Sequence, residues 1–226
     1  MNDSIWKKGK AGSLFLVMLL LLTLLAGCGI DEKKAGKYVQ ANLDLTFQGE
    51  TQEAREFLGA SDSDLKKVYE NGIDAFVQNY LLNGVETEND FSETYGVLIK
   101  EIFTSVRYQV SDVKKTGSKT CEVTVKYQPV DVFTRFMPKL KKESEKILAD
   151  KDAGKDSGTD EEIKEAMVLD YMTGAYSLLR SSYLDMQYGE TQEYTFSVTQ
   201  KGRKTWSIGE EELNGFIEHI LELDKL

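Results

Sequence analysis

Apolar side chains in the first half of the chain recur every three or four residues, which is the period of an amphipathic helix. Four helices are predicted, over 32–48, 51–58, 65–81 and 91–103. Gly49 and the pair Asn83-Gly84 are suitable helix ends, because glycine accepts the left-handed conformation that terminates many helices. Asn89 or Asp90 is a suitable N-cap for the last of the four.

The period of the pattern changes from 3.6 to 2 at Val106. Apolar and polar residues alternate over 106–110 and again over 121–127, with a turn at 115–118 between them. This pattern predicts a β-hairpin with one buried face. Cys121 falls on the apolar face, which favours a buried, inert thiol over a reactive one.

The second half of the chain repeats the order of helix and hairpin. Helices are predicted over 131–149 and 160–187, a hairpin over 194–208 with its turn at 201–203, and a closing helix over 213–221. Pro138 is expected to bend or break the first of these helices, because proline lacks the N–H that a helix needs. Trp206 and Ile208 are expected in the return strand of the hairpin. The two hairpins share turn residues, which either an internal duplication or independent selection of the same turn chemistry explains.

This order of elements predicts an α+β fold. The two hairpins can pair into one antiparallel sheet of about four strands, and several helices would cover its apolar face. The layout resembles the cone-shaped folds typified by nuclear transport factor 2, in which helices cup a curved sheet. Residues 28–226 are expected to form a single extracytoplasmic domain, because about 200 residues suffice for one core.

The N-terminus has the three parts of a secretory signal. Lys7, Lys8 and Lys10 form a positive segment, and the twelve residues Leu14–Leu25 are apolar except for Thr23. This apolar run is too short for an ordinary membrane-spanning helix, which needs about 20 residues. Residues 1–27 are therefore predicted to be a signal peptide.

The signal ends in Leu25-Ala26-Gly27-Cys28, which resembles the lipobox of bacterial lipoproteins. The resemblance implies that a diacylglyceryl group is attached to the Cys28 thiol and that the signal is cut just before it. It also implies a location on the extracytoplasmic face of the cell membrane. An uncleaved signal anchor with an incidental cysteine is the alternative. The rest of the chain is similar in layout to Gram-positive lipoproteins of unknown function.

The charge of the chain supports a lipid anchor. Its net charge of −10 becomes −12 without residues 1–27, which hold three lysines and one aspartate. This balance excludes nucleic acid as a partner, because binding phosphates needs clustered positive charge. Anionic lipid would also repel the body as a whole, so we expect attachment through acyl chains. Lys33, Lys34 and Lys37 follow the anchor closely and either contact lipid head groups or form an ordinary solvated helix face.

The sequence offers no metal or cofactor site that we expect to function. Residues 150–161 carry acidic side chains at EF-hand-like spacing, but Gly154 and Lys155 stand where an oxygen ligand and a glycine are needed. A solvated loop is the better interpretation. His219 is the single histidine, and no nucleophile elbow, P-loop or C-x-x-C motif accompanies it. No catalytic residues or cofactor are predicted.

Two functions remain open at this point. The first is a binding or interaction module for an envelope protein or a small ligand, and an aromatic surface could serve it. Its tyrosines would come from the long helix of the second half: Tyr171, Tyr176, Tyr183 and Tyr188. The second is a cell-envelope hydrolase, which would gather Asp131, Asp170 and Asp185 in a cavity between sheet and helices. We expect the interaction module rather than an enzyme.

Overall fold

The computed structural model describes residues 30–82, 85, 91–152, 159–202 and 205–226. Its helices are α1 (Glu32–Gln48), α2 (Gln52–Leu58), α3 (Asp62–Phe76), α4 (Ser92–Ser105), α5 (Val132–Asp152), α6 (Asp160–Leu184) and α7 (Glu210–Ile220). Its strands are β1 (Arg107–Lys115), β2 (Thr120–Gln128), β3 (Gln192–Gln200) and β4 (Trp206–Ser207). The predicted signal peptide and Cys28 lie outside the described residues.

Helix α1 begins and ends where the sequence predicts. Asp31 caps it by accepting the N–H of Lys34 at 3.2 Å. Gly49 ends it with a left-handed φ of 68°. A Cβ at Gly49 would lie 2.9 Å from the Tyr69 ring, so both the backbone conformation and the close packing require glycine there.

The third predicted helix is present but changes character near its end. Ser61 caps α3 by accepting the N–H of Asp64 at 3.2 Å. After Phe76 the chain continues as a π-helical turn, Val77–Leu81, so the helical stretch ends where the apolar pattern ends. Asn83-Gly84 and the predicted caps Asn89 and Asp90 lie outside the described residues.

Helices α5 and α6 differ from the prediction at two points. Pro138 does not break α5, which continues through it to Asp152. A proline removes one backbone hydrogen bond, and the turn before Pro138 is fixed by Phe133 and Phe136, which are buried in the core. Helix α6 ends at Leu184 rather than near residue 187.

The four strands form one open antiparallel sheet in the order β1-β2-β3-β4. The predicted α+β class is therefore confirmed, and the two hairpins meet through β2 and β3. The second hairpin is much shorter than the first, because only Trp206 and Ser207 pair with β3. Ile208, which the pattern assigned to the return strand, follows it as a buried residue of the connection to α7.

Aromatic rings fill the space between the sheet and the helices. Phe216 of α7 is fully buried, and its ring centre lies 5.3 Å from that of Tyr127 and 5.4 Å from that of Phe196. On the α1 side the same ring lies 6.1 Å from Phe47. Alternation along β2 directs its apolar side chains into this cluster and its polar ones to solvent.

Helix α1 covers the outer edge of β1. The side chain of Glu32 accepts the backbone N–H of Lys115 at 3.2 Å. The side chain of Gln40 accepts the backbone N–H of Val110 at 3.4 Å. These contacts occupy backbone donors that an exposed edge strand would offer to another chain.

The start of α7 protects the opposite edge, where β4 is too short to cover β3. One carboxylate oxygen of Glu212 accepts the N–H of Ser197 at 2.9 Å, and the other accepts that of Gly209 at 3.1 Å. Tyr194 donates its hydroxyl to the Glu212 carbonyl at 2.9 Å. The helix is thus held against the strand by side chains of both elements.

Candidate functional site

The chain enters the fold at one end of the sheet. Ile30 donates its backbone N–H to the carbonyl of Ser118, in the β1–β2 turn, at 3.0 Å, and its side chain is buried. We call this the proximal end. Strand β2 runs from Thr120 at the proximal end to Gln128 at the other, the distal end, and its nine residues span about 30 Å. Cys28 precedes Ile30 by two residues, so a lipid on its thiol would be joined to the proximal end.

A stacked pair of side chains lies at the distal end, where β1 begins. The Arg107 guanidinium sits over the Tyr188 ring, 3.6 Å from its centre. Tyr188 donates its hydroxyl to the carbonyl of Ser105 at 2.8 Å. Because the ring is fixed by this hydrogen bond, the pair is held in one arrangement at the surface.

The segment that follows α6 lies next to this pair, because Met186 and Tyr188 both contact Ser105. Leu184 is 71% exposed, the largest exposed fraction among the exposed large hydrophobic residues in the described chain. Met186 accepts a hydrogen bond from Ser105 Oγ on its sulfur at 3.7 Å. Burial, and then the nearby Glu101 carboxylate, raise the pKa of Tyr183. We define the distal rim as Arg107, Tyr183, Leu184, Met186 and Tyr188.

The segment that carries Met186 and Tyr188 is fastened to the residues that follow β2. Gly189 donates its N–H to the Pro129 carbonyl at 2.8 Å. Asp131 accepts the N–H of Gln187 at 2.7 Å with one carboxylate oxygen, and the other accepts Arg135 Nε at 2.6 Å. Asp131, one of the carboxylates of the alternative hydrolase hypothesis, therefore positions the segment that carries Met186 and Tyr188.

The structure does not gather the three carboxylates of the hydrolase hypothesis. Asp170 and Asp185 are both exposed, and they lie fifteen residues apart along α6 and its C-cap. At 1.5 Å per residue this spacing separates them by about 22 Å. Asp131 is engaged with Gln187 and Arg135, as described above.

The four tyrosines of the predicted aromatic surface divide into two groups. Tyr176 packs its ring edge-on against Tyr95, with centres 5.6 Å apart, and Tyr95 donates its hydroxyl to the Met172 carbonyl at 2.8 Å. Burial raises the pKa of Tyr171 on the same helix. These two tyrosines join α6 to α4 and the core, whereas Tyr183 and Tyr188 belong to the distal rim.

The remaining candidates from the sequence are His219 and the loop with EF-hand-like spacing. His219 is 45% exposed and pairs through Nδ1 with Asp224 Oδ2 at 3.0 Å. Among the described residues, no three side chains of the metal-ligating types lie close enough to hold an ion. The loop with EF-hand-like spacing lies largely outside those residues. In the same described ranges, none of the helices combines the length and the apolar character that a membrane crossing requires.

Of the two cysteines, the structure describes only Cys121. Cys121 is 1% exposed on the inner face of β2, as the alternation predicts. Burial, and then the Glu32 carboxylate, raise the pKa of its thiol, which keeps it in the unreactive protonated form. Cys28, the predicted lipidation site, lies outside the described residues.

Neither protein-family models nor curated proteins match this sequence. Among solved structures, the chain is similar to a crystal structure from Bacillus subtilis subsp. subtilis str. 168 described as that of "a putative lipoprotein (ycdA)". The TM-score is 0.47 and the identity 14%, over 83% of this chain and 56% of that one. The chain thus spans little more than half the length of that protein. A likeness this loose assigns neither fold nor function to the chain.

Proposed function

We propose that this chain is a lipoprotein, anchored through Cys28 to the extracytoplasmic face of the cell membrane, and that it binds an envelope protein through the distal rim. The signal-like segment and its terminal Leu25-Ala26-Gly27-Cys28 motif support the anchor. The resemblance to Gram-positive lipoproteins of unknown function, with a cone of the nuclear transport factor 2 type, belongs to the same proposal.

The distance between the two ends of the molecule supports a tethered binding role. The chain enters the fold through Ile30 at the proximal end, two residues after Cys28. At about 3.3 Å per residue, the proximal end would be held within about 7 Å of the lipidated thiol. The distal rim is about 30 Å further along the sheet, where a partner could reach it without contacting the bilayer.

The composition of the distal rim carries the proposal. Tyr, Met and Arg are enriched in protein interfaces, and aromatic and arginine side chains dominate their binding energy. Arg107 and Tyr188 are already stacked, so they lose little conformational freedom when a partner binds. Leu184, which follows Tyr183 in the chain, leaves most of its surface in water, and a partner would cover it.

A protein partner fits this structure better than a small ligand between sheet and helices. The rings around Phe216 occupy the interior where such a ligand would bind. A ligand there would have to displace side chains that are completely buried. The distal rim is open and needs no such rearrangement.

Capture from detergent-solubilised membranes tests this proposal with a matched pair of variants. Leu184→Asp puts a charge on the distal rim, and Leu169→Asp puts the same charge on α6 outside it, where Leu169 is 45% exposed. We expect a partner captured by wild type and by Leu169→Asp to be reduced at least about tenfold by Leu184→Asp, as for a central interface residue. Equal capture by both variants would remove the distal rim as the binding surface.

A further inference from the structure

Lysines gather at the proximal end of this acidic protein. Three segments meet there, namely the start of α1, the β1–β2 turn and the β3–β4 turn. All of the lysines concerned are exposed: Lys33, Lys34, Lys37, Lys114, Lys115, Lys119 and Lys201. We define these seven as the proximal lysines.

Backbone hydrogen bonds hold the three segments together. Ile30 donates to the carbonyl of Ser118 at 3.0 Å, which fixes the start of α1 to the first turn. The N–H of Gln200 donates to the carbonyl of Lys119 at 2.8 Å, which fixes the second turn beside the first. The proximal lysines are therefore displayed together on one rigid end of the molecule.

Around the start of α1 and the β1–β2 turn, carboxylates are fewer than lysines. Asp31, Glu32, Asp112 and Glu122 are the acidic residues there, and six of the seven lysines belong to the same two segments. Glu210, Glu211 and Glu212 begin α7 beside β4, on the opposite edge of the sheet, where only Lys201 of the seven lies. Asp31 lies 3.7 Å from Lys34, and Glu32 accepts the backbone N–H of Lys115. The start of α1 and the first turn thus carry six lysines against four carboxylates, while the whole chain has a net charge of −10.

We infer that the proximal lysines bind anionic lipid head groups and orient the protein on the membrane. This inference rests on the proposed anchor at Cys28, because the single residue between Cys28 and Ile30 brings this end to the lipid surface. Charge complementarity identifies the occupant, since the surface of an anionic bilayer attracts basic segments that lie close to it. The proposed partner at the distal rim is not needed for this contact.

Screening explains how an acidic protein can use a basic end. At physiological ionic strength the Debye length is about 8 Å, so charges further from the membrane contribute little. The proximal lysines would lie within about one Debye length of the head groups. Strand β2 carries the distal end about 30 Å away, and carboxylates at that distance are screened from the membrane.

The test uses the mature protein purified from cell membranes, reconstituted into vesicles of phosphatidylglycerol or of phosphatidylcholine. A water-soluble amine-reactive reagent and peptide mass spectrometry measure how fast each lysine is modified. We expect Lys37 and Lys119 to react at least about fivefold more slowly on phosphatidylglycerol. The attraction between an anionic surface and each nearby lysine corresponds to about this factor in binding. Lys126, some 20 Å along β2 from the turn, should react equally on both. Raising the salt to about 0.5 M should remove the difference.

Charge reversal supplies the matched controls. Lys33→Glu combined with Lys119→Glu should abolish the protection of Lys37. The combination Lys66→Glu and Lys67→Glu should leave it unchanged, because α3 starts beside Thr51, near the distal end of α1. Equal modification of Lys37 on both lipids, by protein that floats with both kinds of vesicle, would overturn the inference. Protein that floats with neither would instead contradict the anchor at Cys28.

Discussion

Because Tyr38 is buried, the stability of the protein should decrease at alkaline pH. This side chain is 2% exposed, and burial raises the pKa of its hydroxyl to about 12. An unfolded tyrosine has a pKa of about 10, so between these values the unfolded state binds fewer protons than the folded state. The contribution of Tyr38 to the free energy of unfolding is therefore complete below pH 10 and is lost as the pH rises towards 12.

Tyr38→Phe should make the alkaline loss of stability less steep. With one titrating group removed, the free energy of unfolding should fall by about 1.4 kcal/mol less per pH unit between pH 10 and 12. Urea unfolding curves at several pH values measure both slopes. Parallel slopes for variant and wild type would show that Tyr38 titrates alike in the folded and unfolded chain.

The close approach of α1 to β1 depends on Gly36. A Cβ at this position would lie 3.0 Å from Val113 Cγ2, so Gly36→Leu should force the helix off the strand. We expect a loss of about 1–3 kcal/mol in the free energy of unfolding, as for other overpacked cores. Gly174→Ala is the control: the nearest atom to a Cβ at Gly174 is 3.7 Å away, and alanine favours a helix interior. Equal effects of the two changes in urea unfolding would contradict this account of the packing.

At the scale of elements, the segment between α6 and β3 depends on Asp131. Removing its carboxylate leaves the N–H of Gln187 and the Arg135 guanidinium without their acceptor. Asp131→Ala should therefore lower the free energy of unfolding by about 1–3 kcal/mol. Asp170→Ala should change it by less than about 0.5 kcal/mol, because that carboxylate is exposed. Thermal or urea unfolding distinguishes the two, and a large effect of Asp170→Ala alone would reverse the roles assigned here.

Periodicity predicted most elements because each buries one face. The stripe along α1 and the alternation along β2 both follow from such one-sided burial. Prediction failed where tertiary contacts decide the outcome. Helix α5 continues through Pro138 because aromatic residues on the preceding turn are anchored in the core. Strand β4 stops at Ser207 because the start of α7 takes over the protection of β3.

The distal rim could be predicted only in part. Its tyrosines stood out as surplus aromatic residues on a long helix, but no local pattern separates Tyr188 from Tyr176. The separation arises from contacts between distant parts of the chain, such as Arg107 against Tyr188. The sequence alone identifies Asp131 only as one carboxylate among many, and the fold assigns it to structural hydrogen bonds.

At the scale of the whole molecule, the proposal gives the two ends of the sheet different tasks. The proximal end carries the chain entry and the lysines, and the proposed lipid at Cys28 would hold it at the bilayer. The distal end carries an aromatic and apolar rim at the other end of β2 from that entry. Attachment and partner binding are therefore expected to be separable by mutation: Leu184→Asp should leave the amount of membrane-bound protein unchanged.

The anchor at Cys28 is the central claim, and the mass of the mature N-terminus tests it most directly. Intact-mass and peptide mass spectrometry of protein extracted from membranes should give a chain that begins at Cys28 and carries the added mass of a diacylglyceryl group. Cys28→Ala should lose that mass and should retain residues 1–27. A mature protein with an unmodified Cys28 thiol, or one that still carries the signal segment, would contradict the account.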